Sequence, residues 1–411
     1  MGSLPVNVCL VSEWFYPCLV GPVERFRRYA PGFRQRGIHL SVVTIQLPGT
    51  KSEEEVEGIP VRRIPLEADE EHRMIQFVRE VLATLARNRE PPHVLQFFSA
   101  KPRLAPHLCL ARSRGMPTLF VHTMMRVQDD PTVSFRSFRS RADNLLSFIA
   151  FNLMVTSSSI MRDRLIKYGI SPRHIEVIPN GVDLQRFRPA TSETERAEVR
   201  QKLGLAAHNE IVLFVGTVMQ RKGVDYLAQA WPEIAQCCPT AVLVLVGYCG
   251  GKQPLRVSGY SEETESFGRQ IRSMMNASGA AERVVFTGLV PNVEDYMRAA
   301  DIFVFPSRRE GMPNVVPEAM ATGLPCVLTP FDGLAAEFGV PGSEYRKVPF
   351  DAHALADAVC DLLKNKDQAA TLGKAAHRWV VERLDVELAL DRFAEVYRRL
   401  AATGRNRRSI G

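Results

Sequence analysis

Two carboxylates eight residues apart, Glu310 and Glu318, bracket the stretch EGMPNVVPE between the apolar run DIFVFPS and the segment AMATGLPCVLTP. A carboxylate accepts two O–H bonds from a vicinal diol, whereas a phosphate is met by amide N–H groups and cations. DIFVFPS reads as a strand and RREGMP as a turn. A helix is expected to begin near Asn314, with Asn314 as its N-cap, Pro317 in its first turn and Gly323 at its end. The amides of Val315 and Val316 would then point out of a helix N-terminus, toward a phosphate. A ligand with diols on both sides of a diphosphate is a nucleotide sugar, with one Glu on the hexose and the other on the ribose. The plainer reading is an exposed loop acid and a first-turn helix acid favoured by the dipole.

The elements that would position these residues alternate between strand and helix. VNVCLVS, HLSVVTI, HVLQFFS, TLFVHT, NLMVTSS and IEVIP read as buried strands in the first half, with helical patterns between them. The polar, charged, helix-prone stretch TSETERAEVRQKLGL interrupts the rhythm as a connector. The alternation restarts with EIVLFVG, AVLVLVG, RVVFTG, DIFVFP and LPCVLT. Series of βα units imply parallel sheets wound on both sides, with ligands at the carboxyl ends of the strands. The expected layout is a domain over 1–190, a second over 191–385, a terminal amphipathic helix over 386–403 and a disordered tail over 404–411.

A chain of 411 residues is longer than one core usually supports, and its 45% hydrophobic and 24% charged composition is that of a globular protein. The longest apolar stretch, LLSFIAFNLMV, is about half of the ~20 residues that span a bilayer. The N-terminus lacks the pattern of a signal peptide. The eight cysteines form no CxxC and no His pairing at zinc spacing, which suits small buried hydrophobes in a reducing compartment. A cytoplasmic protein is expected. The net charge of +7 is uneven: residues 1–190 hold 26 Lys+Arg against 18 Asp+Glu, and residues 191–411 hold 26 against 27. The excess gathers at Arg25, Arg27, Arg28, Arg34 and Arg36, and again at Arg136, Arg139 and Arg141. It reads either as a solvated helix face or as peripheral attraction to the inner, anionic face of a membrane. No nucleic-acid partner is expected, because no aromatic-interleaved basic motif accompanies the charge.

The two glutamates, followed by EAMATGLPCVLT, closely resemble the retaining glycosyltransferases of family 4, whose fold is GT-B: two doubly wound, Rossmann-like parallel-sheet α/β domains facing across a cleft. In that family the first Glu holds the donor sugar and the second the ribose, which carries those roles onto Glu310 and Glu318. The backbone of Gly311, Met312, Pro313, Asn314, Val315 and Val316 would lie near the sugar and diphosphate. FVGTVMQRKGVDYL resembles the family's phosphate-binding segment, with Gly216 in its turn and Lys222 as its Lys. The usual Arg position is occupied by Thr217, with Arg221 beside the Lys as a replacement charge. As the glycosidic C–O bond breaks, charge builds on the leaving diphosphate and Lys222 would stabilise it.

VIPNGVDLQRFRP is similar to the family's interdomain signature, with Asn180-Gly181 as a turn. VVFTGLVP resembles the segment lining the base, which places Gly288 and Val290 there. FDGLAAEF stands where the family has paired glycines but keeps only Gly333. In the first half, CLVGPVERF resembles the Gly-rich loop, with Gly21 retained, Pro22 in place of the second glycine and Glu24 matching the following Glu. TLFVHTMM puts His122 where the family has a His near the donor sugar. The segment 248–270 reads as a mobile insertion near the nucleotide pocket.

The resemblance implies transfer of a hexose-type sugar from a nucleotide sugar, most commonly UDP-linked, to an acceptor hydroxyl. Configuration would be retained and no cofactor or metal used, since no DxD follows a strand. The expected catalytic residues are Glu310, Lys222 and His122. The acceptor is a small molecule or a lipid-linked saccharide. The rivals are a sugar-nucleotide epimerase or phosphorylase on the same fold, a two-carboxylate glycosidase, and a catalytically silent nucleotide-sugar-binding protein favoured by Thr217 and Pro22.

Overall fold

In the computed structural model the apolar runs become the strands of two sheets, each flanked by helices. The structure describes residues 4–18, 21–66, 73–86, 90–98, 104–122, 145–250 and 262–408. The chain divides into two units: Met1–Pro179 with Glu387–Gly411, and Asn180–Pro254 with Gly259–Val386. The division falls at Pro179 rather than at 190. Asn180 and Val182 bond to Met312 and Leu384, which ties residues 180–190 to the second unit.

The first unit is built on β1 (Val6–Val11), β2 (Ile38–Ile45), β3 (Glu53–Val56), β4 (Ile59–Ile64), β5 (Val94–Phe97), β6 (Thr118–His122), β7 (Leu153–Thr156) and β8 (Ile175–Val177). Their order is β3-β4-β2-β1-β5-β6-β7-β8. Helices α1 (Gly21–Gln35), α2 (Arg73–Ala86), α3 (Ala105–Ser113) and α4 (Ser159–Lys167) supply crossovers. One strand departs from the parallel expectation. β3 pairs antiparallel with β4 through a two-residue turn, Glu57-Gly58, in which both residues have positive φ (51° and 76°). That is the backbone of a type I′ hairpin turn. Its strand, EEEV, carries charges along the sheet edge and so discourages pairing with another chain.

The C-terminal helix, Val386–Arg408, belongs to this unit. Phe393 meets Phe26 and Phe33 of α1 edge-on, at 5.1 and 6.4 Å between ring centroids. Tyr397 donates its hydroxyl to the Gln96 side chain at 2.6 Å. A Cβ on Gly404 would approach the Gly115 carbonyl to 2.6 Å. That close seating carries the helix on to Arg408, where a disordered tail from 404 was expected. Tertiary packing here overrides the helix-breaking tendency of glycine.

The same helix accounts for much of the basic excess. Arg36 donates to Asp391 and Glu387 at 2.6 and 2.7 Å, and Arg27 donates to Glu24 at 2.8 Å. Arg25 is buried, with its guanidinium 5.3 Å from the Phe26 ring centroid. Much of the charge on α1 is therefore neutralised or covered within the unit. Arg136, Arg139 and Arg141 lie outside the described residues. Among the described residues no helix is long and apolar enough to cross a membrane.

The second unit holds β9 (Glu210–Val215), β10 (Ala241–Val246), β11 (Val284–Gly288), β12 (Ile302–Phe305), β13 (Cys326–Leu328) and β14 (Arg346–Lys347), ordered β11-β10-β9-β12-β13-β14. All its described pairings between strands are parallel. Its helices are α5 (Glu193–Lys202), α6 (Val224–Cys237), α7 (Glu262–Asn276), α8 (Val293–Ala299), α9 (Val315–Ala321), α10 (Ala352–Lys364) and α11 (Lys366–Arg383). β10, β12 and β13 are buried along their whole length, the mark of a parallel sheet covered on both faces. From β9 the sheet grows to β10 on one side and to β12 on the other. The order therefore reverses between two hydrogen-bonded neighbours, and open α/β sheets bind ligands beyond the carboxyl ends of such a pair.

Candidate active site

The segments that follow β9 and β12 carry the charged residues singled out above. After β9 the chain runs through Gly216 and Thr217 into a single 3-10 turn, Gln220–Lys222, closed by Gly223 in the left-handed region (φ 67°). A Cβ at Gly223 would sit 1.8 Å from the Pro306 carbonyl, so this position is held for glycine by a backbone contact with the segment after β12. That segment begins at Pro306. Arg308 donates its amide to the Arg221 carbonyl at 2.8 Å and its guanidinium to Asp225 at 2.6 and 2.8 Å, 4.3 Å above the Tyr226 ring.

Strapping the two segments together brings Glu310 onto two cations. Its Oε1 accepts from Lys222 Nζ at 2.6 Å, from Arg221 Nη1 at 2.7 Å and from Ser307 Oγ at 3.0 Å. Among the described residues Oε2 accepts no hydrogen bond, which leaves that oxygen for a ligand hydroxyl. Glu310 is buried, and Lys222 Nζ also lies 4.9 Å from the centroid of the Phe305 ring. Burial pushes the Lys222 ammonium below the usual lysine range, with Glu310 opposing and Arg221 adding to the shift. One carboxylate against two cations leaves a local net charge of +1, and the neighbouring Arg308–Asp225 pair adds none.

The turn that carries Glu310 is held from two further directions. Asn180 donates Nδ2 to the Met312 carbonyl at 3.1 Å and to the Asn314 side-chain oxygen at 2.7 Å. The Asn180-Gly181 turn thus clamps the Glu310 loop. A Cβ at Gly333 would meet the Glu310 and Gly311 carbonyls at 2.1 and 2.2 Å, so the single glycine of FDGLAAEF is a packing requirement of this turn. Gly333→Ala should therefore displace the loop. Thermal denaturation is expected to show a loss of roughly 1–3 kcal/mol, the usual cost of overpacking. A variant of wild-type stability would remove Gly333 from this role.

The helix after the turn matches expectation at one end and differs at the other. Gly323 (φ 78°) donates to Met320 and Leu324 donates to Ala319, the paired bonds of a Schellman ending. Asn314, expected as the N-cap, has helical backbone angles and no capping bond from its side chain. Asn180 has taken the side-chain oxygen that a cap would use. The Val316 amide makes a long bond, 3.4 Å, to the Pro313 carbonyl, so it is not the free donor the sequence implied. Pro317 is the third helical residue, where its missing N–H is harmless, and Glu318 follows it, half-buried.

Gly288 also differs. Its carbonyl accepts from the Gly247 amide at 2.9 Å and from Thr287 Oγ1 at 2.9 Å, which fills both lone pairs and closes β11 against β10. It cannot read a base edge through that oxygen. Val290, two residues on, is half-buried against the core of the unit. The interior of the 248–270 insertion, 251–261, lies outside the described residues.

Gly21 and His122 belong to the first unit. Gly21 is the first residue of α1, and a Cβ there would meet nothing within 4 Å; residues 19–20 of its loop lie outside the described set. Pro22 sits in the first turn, where proline is tolerated. Glu24 is engaged by Arg27 and Arg28; burial would raise its carboxyl, but these two arginines hold it below the usual range. His122 ends β6, buried, with its ring centroid 5.6 Å from that of Phe120. Its expected role near a donor sugar rests on the resemblance. Sequence reasoning missed Ser307 and Asn180 as partners of the loop. Both are small polar residues after a strand, and the long-range contact that defines each has no local signature.

Residues 21–186 match the family described as Glycosyltransferase Family 4, and residues 209–365 match Glycosyl transferases group 1. The chain belongs to glycosyltransferase family 4. Among relatives of this family-4 chain, a putative teichuronic acid biosynthesis glycosyltransferase, TuaC of Bacillus subtilis, is 28% identical over 342 residues, 80% of this chain and 77% of TuaC. Mannosylfructose-phosphate synthase of Agrobacterium fabrum is 30% identical over 223 residues, 53% of this chain and 44% of that protein. Apart from TuaC, the chain spans about half the length of the curated relatives it matches. The crystal structure of Anabaena HepE in complex with UDP-glucose has a TM-score of 0.73 at 19% identity, covering 95% of this chain and 98% of that one. The fold is that of the GT-B glycosyltransferases.

Proposed function

We propose that this family-4 protein is a retaining glycosyltransferase that moves a hexose-type sugar from a UDP-linked donor to an acceptor hydroxyl. The observation that carries the reading is the Lys222–Glu310–Arg221 cluster at the point where the order of the second sheet reverses. A diphosphate is attracted by the net positive charge of this cluster, and a sugar diol can donate to the Glu310 oxygen that its protein partners leave open. As the bond between sugar and diphosphate breaks, Lys222 and Arg221 would balance the growing charge in place of a divalent ion. Transfer on the same face is part of this proposal: among the described residues the groups bonded to the Glu310 carboxylate are Lys222, Arg221 and Ser307, and each is occupied in holding it. The leaving phosphate oxygen would then take the acceptor proton. Glu318 is proposed to hold the ribose.

UDP is favoured because HepE was crystallised with UDP-glucose. The acceptor is proposed to be a lipid-linked saccharide or a small molecule.

A panel of UDP, GDP, ADP and their common sugars in thermal denaturation tests the donor. The correct nucleotide at 100 times its dissociation constant should add about 2.7 kcal/mol of stability. A panel in which none of them raises Tm would reject the nucleotide-sugar reading. Release of nucleotide only in the presence of an acceptor separates transfer from epimerisation and from silent binding.

A further inference from the structure

At the far end of α6 three cysteines meet. Cys237 is the last residue of that helix, Cys238 is its C-cap, and Cys360 lies near the end of α10. Their three sulfur atoms all lie within 4.8 Å of one another, and the Cys237 and Cys238 sulfurs are 3.9 Å apart. Three thiolates around one d10 ion, at metal–sulfur bonds of about 2.3 Å, place their sulfurs roughly 3.8–4.0 Å apart. We propose that Cys237, Cys238 and Cys360 form an all-sulfur site for one thiophilic d10 cation, Zn(II) or Cu(I).

The surroundings fit such an ion. Cys238 and Cys360 are buried while Cys237 is half-buried, so two ligands are fixed and the third gives access from solvent. A metal trithiolate is anionic, and Lys364, one turn beyond Cys360 in α10, supplies a positive charge to offset it. The donor set is soft, which selects Zn(II) or Cu(I) over Mg(II) or Ca(II). Binding releases the thiol protons to solvent as the metal–sulfur bonds form, with no change of oxidation state.

The site is not part of the chemistry proposed above and does not depend on it. Gly223, next to Lys222, caps the other end of α6, and a helix of 14 residues is about 21 Å long. A cation here would pin the C-terminus of α6 to α10. Without one, the cluster is three small free thiols, two of them, Cys237 and Cys238, joined by a weak sulfur hydrogen bond.

The full chain, reduced and stripped of metal, is titrated with Cd(II), whose thiolate complexes absorb in the ultraviolet. One equivalent should bind with a charge-transfer band and raise Tm. Zn(II) in large excess should reduce the band by competing for the same sulfurs, and Cu(I) should compete in a parallel titration against a coloured chelator. Cys237→Ser and Cys360→Ser should each weaken binding at least tenfold, while Cys109→Ser, at an exposed cysteine of the first unit, should leave it unchanged. Circular dichroism checks folding. If Cys360→Ser fails to fold, Cys237→Ser at the half-buried position decides alone. A wild-type chain that shows no band at stoichiometric Cd(II), or a band of full strength in folded Cys237→Ser, overturns the proposal.

Discussion

Lys222→Ala should lower kcat for sugar transfer by at least about a hundredfold, the size of effect seen when one preorganised donor to a developing negative charge is removed. The ammonium is well placed for such a role. It is largely shielded from water, held 2.6 Å from Glu310 Oε1 and seated over the Phe305 ring, so little reorganisation is needed when charge appears on the leaving diphosphate. The fold should tolerate the change. Breaking a buried ion pair costs roughly 3–5 kcal/mol when it strands the partner. Here Arg221 at 2.7 Å and Ser307 at 3.0 Å remain on the same carboxylate oxygen. The effect should fall on kcat more than on KM for the donor, because the charge is greatest in the transition state. A pH profile adds a second readout. Burial lowers the Lys222 pKa, so the active, protonated form is lost as pH rises through a value below the ordinary lysine range. Lys222→Arg should move that alkaline limb upward. A Lys222→Ala enzyme with wild-type kcat would remove Lys222 from the reaction.

The strand order that places Lys222 beside Glu310 could be anticipated only in part. Runs such as AVLVLV and DIFVFP announce buried parallel strands because both faces are covered and no polar alternation interrupts them. That much identifies βα units and puts both residues at carboxyl ends of strands. It does not say which strands are neighbours, and the contact between Lys222 and Glu310 exists because β12 lies beside β9. The hairpin β3–β4 escaped for a different reason. EEEV has low strand propensity, and Glu-Gly is not a usual I′ pair, so the local signal was that of a charged loop.

Side-chain competition hid the remaining details. Asn314 has the chemistry of an N-cap, but the Asn180 amide reaches it from more than a hundred residues away and takes its oxygen. Gly333 seemed a lost half of a glycine pair. Its value is that a Cβ there would stand 2.1 Å from the Glu310 carbonyl, which sequence spacing cannot express. The cysteines show the same limit: Cys237 and Cys238 are adjacent, but the residue that completes their cluster is Cys360 on another helix.

Glu310→Ala carries the second large effect and separates positioning from charge. Loss of the carboxylate removes the proposed acceptor for the sugar diol and leaves Lys222 and Arg221 without the anion between them. KM for the donor should rise and kcat should fall, with kcat/KM reduced by roughly a hundredfold to a thousandfold, since a hydrogen-bonding site that loses a charged partner discriminates strongly. Binding of free UDP should respond in the opposite sense. With the carboxylate gone the cluster moves from +1 to +2, so a diphosphate lacking the sugar should bind as well as before or better. Glu310→Gln keeps the shape and one acceptor oxygen, and should recover part of the sugar binding without restoring the charge balance. The double variant Lys222→Ala with Glu310→Ala should lose less than the product of the single losses, because the two side chains act through one contact. Full additivity would show that the two side chains act independently of their contact, and a Glu310→Ala enzyme that keeps its transfer rate would show that the pair at the strand ends is a structural ion pair and that the sugar is held elsewhere.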